Sequence, residues 1–271
     1  MAMSSLNLTR RQALAAVAMA GLGARRAVAQ SPADADPWPS LSAQIFPGKQ
    51  ISAGGNLVAL DAPYRAEEAA IVPLGLRLLG PDSPQIRNIT LVIDQNPSPL
   101  AARFSPDPTS GMTAISTRVR VDSYTNMHAI AAMVDGRLVG VTRFIKAAGG
   151  CSAPASKVEA GDIPLGTMRF RQFPARQGDS LRAAELLIRH PNYSGMQMDQ
   201  LTRLYVPAHF VTSVRIWQGD ALLLAIESGI SISENPAFRF NFRPNGADRF
   251  RAEVKDSKGL TFRQEFPALR A

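Results

Sequence analysis

The strongest constraint in this chain is a period of two. Phe238, Phe240 and Phe242 alternate strictly with Arg239, Asn241 and Arg243. An extended strand with that pattern places its rings on one face and its basic and amide groups on the other. Ile89, Leu91 and Ile93 alternate in the same way with Thr90, Val92 and Asp94, and Val119 and Val121 with Arg118, Arg120 and Asp122. Met168 and Phe170 alternate with Arg169 and Arg171, and Thr212, Val214 and Ile216 lead to Trp217 and a Gln218-Gly219-Asp220 turn. An Asp135-Gly136 pair divides the apolar runs between Met133 and Ile145, a strong hairpin signal. Ser257-Lys258-Gly259 turns the chain between Phe250–Val254 and Leu260–Phe266. Leu181 to Ile188, nearly continuous in apolar residues, suits a buried strand or a helix.

Short strands about ten residues apart, punctuated by Pro and Gly, predict an all-β chain of antiparallel sandwiches. The 271 residues have room for two. The joint falls at 148–167, where Gly149, Gly150, Cys151, Ser152, Ala153 and Pro154 offer little to bury, so a Gly/Ala/Ser linker is expected there. The expected domains are a β-sandwich over 43–147, a linker over 148–167 carrying Cys151, and a second β-sandwich over 168–271. No residue-level repeat relates the halves. Gln30 to Ser42, rich in Pro, Ala and Asp, reads as a loosely held lead-in.

The first 29 residues read as an export signal. Thr9-Arg10-Arg11 precedes a mild Ala-rich apolar run from Gln12 to Gly23, and Ala27-Val28-Ala29 supplies small residues for cleavage before Gln30. The paired arginines resemble a twin-arginine signal, so a periplasmic mature protein is expected. The apolar run is too short to cross a membrane, and no other segment approaches a span.

Charge argues against nucleic acid. Basic residues exceed acidic ones by 30 to 22, but Arg10, Arg11, Arg25 and Arg26 belong to the signal. Without them 26 basic residues face 22 acidic ones, with no basic block left to track phosphates. At 45% hydrophobic and 19% charged residues the chain is not disordered.

The common catalytic signatures are missing: no nucleophile elbow, no phosphate loop, no dinucleotide fingerprint. His128, His190 and His209 lie far apart and lack partners at metal-ligand spacing, so neither a metal nor a cofactor is expected. Cys151 remains. A lone cysteine can form no intrachain disulfide, and between two glycines and Ser-Ala-Pro it reads as exposed. The uncovered N–H groups of Gly149 and Gly150, with Lys146 and Lys157 nearby, would favour its thiolate. An exposed thiol outside the cytoplasm is a liability unless it is used; the alternative is an incidental cysteine. His190 and His209 read either as loop residues satisfied by backbone, or as a base for Cys151 if folding brings them together. The Phe238–Phe242 rings read as core.

Several runs resemble a known family in its own order. Lys146-Ala-Ala-Gly149-Gly150-Cys151 resembles the end of SoxY, the sulfur-carrying subunit of periplasmic sulfur oxidation, as do Ile93-Asp94-Gln95-Asn96-Pro97-Ser98-Pro99 and Thr117-Arg118-Val119-Arg120-Val121. Ile188-Arg189-His190-Pro191-Asn192-Tyr193-Ser194-Gly195, Val206-Pro207-Ala208-His209-Phe210-Val211 and Ile230-Ser231-Ile232-Ser233-Glu234-Asn235-Pro236 resemble SoxZ. A fused SoxY–SoxZ chain is similar to the SoxYZ-like carriers associated with quinoprotein dehydrogenases.

The resemblance implies immunoglobulin-like sandwiches and a carrier or accessory protein rather than an enzyme. It implies covalent attachment of sulfur, as persulfide or S-sulfonate, at Cys151, on an arm made flexible by Gly149 and Gly150. His190 and His209 become contacts between the halves or with a partner. The implied partners are enzymes of sulfur oxidation, thiosulfate oxidation among them, or a quinoprotein dehydrogenase, together with small sulfur species. Because the fused halves supply their own pairing, a monomer is expected. One departure is clear: SoxY ends almost at its cysteine, whereas here Ser152 and Ala153 follow and the chain continues. Besides the carrier, a scaffold for a periplasmic dehydrogenase and a thiol enzyme using a histidine remain as readings.

Overall fold

The computed structural model describes residues 36–80, 85–154, 163–175 and 178–269. The export-signal reading over 1–29 and the linker residues 155–162 lie outside them. The lead-in is more ordered than its composition suggests. Helix α1 (Trp38–Ile45) forms there, with Pro39 in its first turn and the Trp38 indole stacked on the His128 ring, centroids 3.6 Å apart and planes 8° apart. The stacking anchors a segment whose sequence has little else to bury.

The period-two runs form strands. The first half contains β1 (Ile51–Ala53), β2 (Val58–Asp61), β3 (Val72–Leu78), β4 (Ile86–Ile93), β5 (Leu100–Pro106), β6 (Ala114–Val119), β7 (Thr125–Met133) and β8 (Leu138–Ile145). The second contains β9 (Met168–Phe173), β10 (Arg182–Ile188), β11 (Val211–Gln218), β12 (Ala221–Ser228), β13 (Ala237–Phe242), β14 (Arg249–Asp256) and β15 (Thr261–Pro267). Asp135-Gly136 turns β7 into β8, with Gly136 at φ 89, and the ambiguous Leu181–Ile188 run is strand β10. Along β13 the three Phe rings point inward and Arg239 outward, as the alternation requires.

Two sheets face each other across a single apolar core drawn from both halves. One runs β1-β8-β7-β4-β5-β12-β11-β14-β15, the other β2-β3-β6-β13-β10-β9. The sheets therefore cross from one half into the other. Strand β5 pairs antiparallel with β12 from Ala102↔Ser228 to Pro106↔Leu224, and β6 meets β13 at Ser116↔Arg239 and Ile115↔Phe240. Left alone, β5, β6, β12 and β13 would be edges with unsatisfied backbone groups; pairing across the seam satisfies them. Side chains add to it. Asn241 Oδ1 accepts the N–H groups of Thr113 and Ala114 at 2.8 and 2.9 Å, and Phe104 packs edge-on against Phe238. The two halves thus meet in a hydrogen-bonded seam. Residues 37–271 make one compact unit.

Candidate functional site: the seat of Cys151

Cys151 is fully buried, which corrects the expectation of an exposed thiol. The reason lies in backbone pairing that composition does not reveal. The N–H groups of Gly149 and Gly150 donate to the carbonyls of Asp122 and Val121 at 2.7 and 2.9 Å, so the segment lies along the chain that follows β6. The Cys151 N–H reaches Asp122 Oδ1 at 3.4 Å. From the second half, Ser194 Oγ donates to the Cys151 carbonyl at 2.5 Å and Gln197 Nε2 to the Ala153 carbonyl at 3.0 Å. Cys151 is thus held from both sides of the seam.

The glycines do different work from that expected of a flexible arm. Gly149 turns the chain at φ 79, with open space where a side chain would be. Gly150 is there for close approach: a Cβ on it would stand 2.1 Å from the carbonyl oxygen of Ala69. In this arrangement both residues pack and pair.

The charges acting on the thiol are also not those expected. Lys146 sits over the Tyr64 ring at 4.9 Å, and Lys157 lies outside the described residues. Burial foremost, then the Asp122 carboxylate, push the thiol up to about 12, against a smaller opposing pull from Arg120. At neutral pH the seated sulfur is therefore a thiol, and the thiolate is the nucleophile. A seated Cys151 is chemically quiet. Sulfur chemistry at this position requires the 149–153 segment to leave its seat.

Arg120 was legible only as one of the alternating outward-facing residues beside Val119 and Val121. Strand β6 ends at Val119, however, and Arg120 turns inward, 1% exposed. Its guanidinium donates to the carbonyls of Gly150 and Asn192, each at 3.4 Å. Burial holds its pKa below the ordinary arginine value, opposed chiefly by the charge of Glu234. Asn96 supports the same region: its Nδ2 donates to the Arg120 carbonyl and to Ser231 Oγ, at 2.8 and 2.9 Å, and its Oδ1 accepts from Asp122 N. The Asn96 motif thus acts as a strut for the seat.

His190 and His209 meet each other rather than the thiol. Their rings pack edge to face with centroids 4.6 Å apart, and both face Asp256, whose Oδ2 lies 2.7 Å from His209 Nε2 and 3.6 Å from His190 Nε2. Asp256 Oδ1 accepts the N–H groups of Lys258 and Leu260, each at 2.9 Å. Burial alone would raise the Asp256 carboxyl, but the hydrogen bonds from His209, Leu260 and Lys258 outweigh it and hold the pKa low. Burial, then the neighbouring His209, lower His190 to about 4.

Three donor atoms of His190, His209 and Asp256 lie within 4.8 Å of one another, a spacing that would suit a metal. The tautomer argues otherwise. Asn192 N donates to His190 Nδ1 at 3.0 Å, so Nδ1 keeps its lone pair and Nε2 carries the hydrogen. A ring in that state has no Nε2 lone pair for a metal. The trio instead pins the ends of β11 and β14 to the 190–194 turn. Asn192 extends that turn, accepting from Val211 N and donating to the Ile232 carbonyl. His128 lies elsewhere, between Asp94 Oδ2 and Thr142 Oγ1, each at 2.9 Å.

Residues 42–151 match the family model of the sulfur oxidation protein SoxY, and residues 169–267 that of the sulphur oxidation protein SoxZ. Among solved structures, the sulfur carrier protein SoxY from Chlorobium limicola f thiosulfatophilum is 24% identical, covering 41% of this chain and 91% of its own, with a TM-score of 0.36. A superoxide reductase (neelaredoxin) from Ignicoccus hospitalis is 17% identical over 34% of this chain and 81% of its own, with a TM-score of 0.30. A search of the curated proteins found no significant match. With one family model covering the half that ends at Cys151 and the other covering the half that latches it, the chain belongs to the SoxY and SoxZ sulfur-oxidation families, fused in a single polypeptide.

Proposed function

We propose that this chain is a periplasmic covalent carrier that holds a sulfur intermediate, as persulfide or S-sulfonate, on Cys151 and presents it to partner enzymes. One observation carries the reading: the chain's single cysteine is the last residue of the SoxY match, and side chains of the SoxZ half hold its segment. The seat is closed by hydrogen bonds, which break and re-form readily, and not by a covalent tie. Such bonds contribute about 1 kcal/mol each, so a handful can hold a segment that still opens at useful rates. The loop carrying Ser194 and Gln197 also exposes Leu201, Leu204 and Tyr205, apolar surface that a partner opening the seat would cover.

The carrier chemistry itself asks little of the chain. Once released, the thiol titrates near its ordinary value, and its thiolate exchanges with a sulfur–sulfur bond through a mixed disulfide. The twin-arginine-type leader supports export to the periplasm. A sulfur-oxidation enzyme or a quinoprotein dehydrogenase is the proposed partner, with the carrier acting as a monomer and without catalysing a reaction of its own.

The burial of Cys151 favours a second reading, a scaffold for a periplasmic dehydrogenase whose thiol is secondary. Intact mass of the mature protein, purified from its native periplasm without reductant, separates the two. The carrier is expected to show a dithiothreitol-labile adduct of whole sulfur atoms or a sulfonate that is absent in Cys151→Ser. A free thiol that stays unmodified after exposure to sulfide, thiosulfate and periplasmic extract leaves the scaffold.

A further inference from the structure

On the outer face of the six-stranded sheet, where β6 meets β13 at only two residue pairs, lies an open groove of about 820 Å³. Its walls carry four arginines. Arg118 and Arg143 come from the first half, on β6 and β8; Arg171 and Arg239 come from the second, on β9 and β13. The groove is therefore composite and exists only where the halves are joined. Arg239 is exposed and Arg118 partly so, whereas Arg120, which donates to the Gly150 carbonyl, is buried.

Three of these guanidinium groups are held by contacts other than carboxylates. Arg239 stacks over the Phe173 ring at 4.3 Å. Arg143 Nε donates to the Leu60 carbonyl at 3.2 Å, and Arg118 Nη2 to the Asn235 carbonyl at 3.0 Å. Arg118 Nε is buried without a hydrogen-bond partner. Among the described residues none of these three forms an ion pair within 4.0 Å. The two acids on the walls are engaged: Asp61 pairs with Arg77 at 2.7 Å and also feels the charge of Arg143, and Glu185 pairs with Arg171 at 3.7 Å. Between the arginines the lining is mixed, with Pro73 and Leu187 apolar and Ser116 and Thr117 polar.

We infer that this groove is an anion-reading interface that takes an extended acidic segment of a partner protein. The choice of occupant follows from magnitudes. An exposed ion pair contributes at most about five-fold in affinity, so a small oxyanion touching one or two arginines in an open groove is held hardly at all. Several carboxylates on one strand of chain, with apolar side chains between them against Pro73 and Leu187, add up to a weak but specific contact. Arginine suits this use because its planar fork matches carboxylates in pairs and is pre-oriented here by ring and carbonyl contacts. The contact is reversible and falls steeply with salt, as exposed charges are screened beyond about 8 Å at physiological ionic strength.

The test needs no Cys151 chemistry, so the groove and the carrier reading stand or fall separately. A fluorescein-labelled ten-residue peptide of alternating Glu and Ala is titrated with the full chain, as Cys151→Ser, and followed by anisotropy at low salt. Arg143→Gln/Arg239→Gln is expected to weaken binding about five-fold, the loss of two exposed pairs near the middle of their range. Arg87→Gln/Arg137→Gln removes the same charge elsewhere and is expected to change binding less than two-fold. Equal loss in both double variants would reduce the effect to net charge and overturn the proposal. So would displacement of the peptide by millimolar thiosulfate but not by chloride of matched ionic strength, which would make the groove a small-oxyanion site. Amide exchange on the unsubstituted protein gives a readout independent of the variants. Peptide-dependent protection is expected on β6, β9 and β13, and protection confined to other strands would overturn the proposal. A peptide-independent, concentration-dependent dimer occluding the same strands would assign the groove to a second copy of the chain.

Discussion

The hydroxyl of Ser194 donates to the carbonyl oxygen of Cys151 at 2.5 Å, across 43 residues of sequence and across the seam between the two halves. The bond is buried, and Ser194 Oγ is itself fixed by accepting from Met196 N at 3.1 Å. It ties the second half to the backbone that carries the first half's thiol.

Ser194→Ala should therefore loosen the seat. Leaving a buried carbonyl without its donor costs about 1–2 kcal/mol, or roughly 5- to 30-fold in the population of the open segment. Carboxamidomethylation of Cys151 by iodoacetamide at pH 7.5, followed by intact mass, should accelerate by that factor. An unchanged rate would mean that the thiol reacts without opening this latch.

The two glycines should respond differently to alanine. Gly150→Ala places a methyl group against the Ala69 carbonyl, and overpacking of this kind costs about 1–3 kcal/mol. Gly149→Ala meets open space and costs only the left-handed backbone penalty, about 1 kcal/mol. The larger gain in alkylation rate is expected for Gly150→Ala. The reverse order would show that the segment does not pack against Ala69 in solution.

Alkaline pH should open the seat. The seated thiol is raised to about 12 from an ordinary value of 9.0, so burial disfavours the thiolate. Docking is at full strength below about pH 9 and weakens as pH rises from there towards 12, because only the open form releases its proton readily. Melting temperature measured from pH 7 to 10.5 should fall faster for the natural protein than for Cys151→Ser. Parallel curves would contradict the burial of the thiol.

Acid should act on the other buried cluster. His190 is lowered to about 4 from 6.5, so the folded state prefers it neutral and the unfolded chain binds its proton first. That contribution is complete above pH 6.5 and is lost as pH falls towards 4, by about 3 kcal/mol at most. Asp256, held low by its hydrogen bonds, adds a further loss only below its ordinary value of 3.8. His190→Gln should flatten the melting curve between pH 6.5 and 4 while lowering the plateau. A natural protein with no loss of stability across that window would place a charged His190 in the fold.

Local patterning carried the strands because each records its own environment. The Phe238–Phe242 alternation, the Asp135-Gly136 turn and the runs around Ile89 and Thr212 depend on which face is wet, and that is written at spacing two. The family's motifs were legible for the same reason, as short fixed runs. Arg120 misled because its alternation continues past Val119, where the strand ends. Trp38 and Pro39 read as a loose lead-in because nothing local announces the His128 ring that holds the helix.

By itself, then, the sequence determined an all-β chain, many of its strands and several of its turns, a single thiol, and membership of the SoxY and SoxZ families. Only the tertiary structure decided that the sheets run across both halves, that Gly149 and Gly150 seat rather than free Cys151, and that His190 and His209 converge on Asp256. The physical reason is range. Strand periodicity comes from contacts along one segment, whereas a buried thiol's charge state and a seam's hydrogen bonds come from groups brought together only by folding: Asp122 lies 29 residues from Cys151 and Ser194 lies 43.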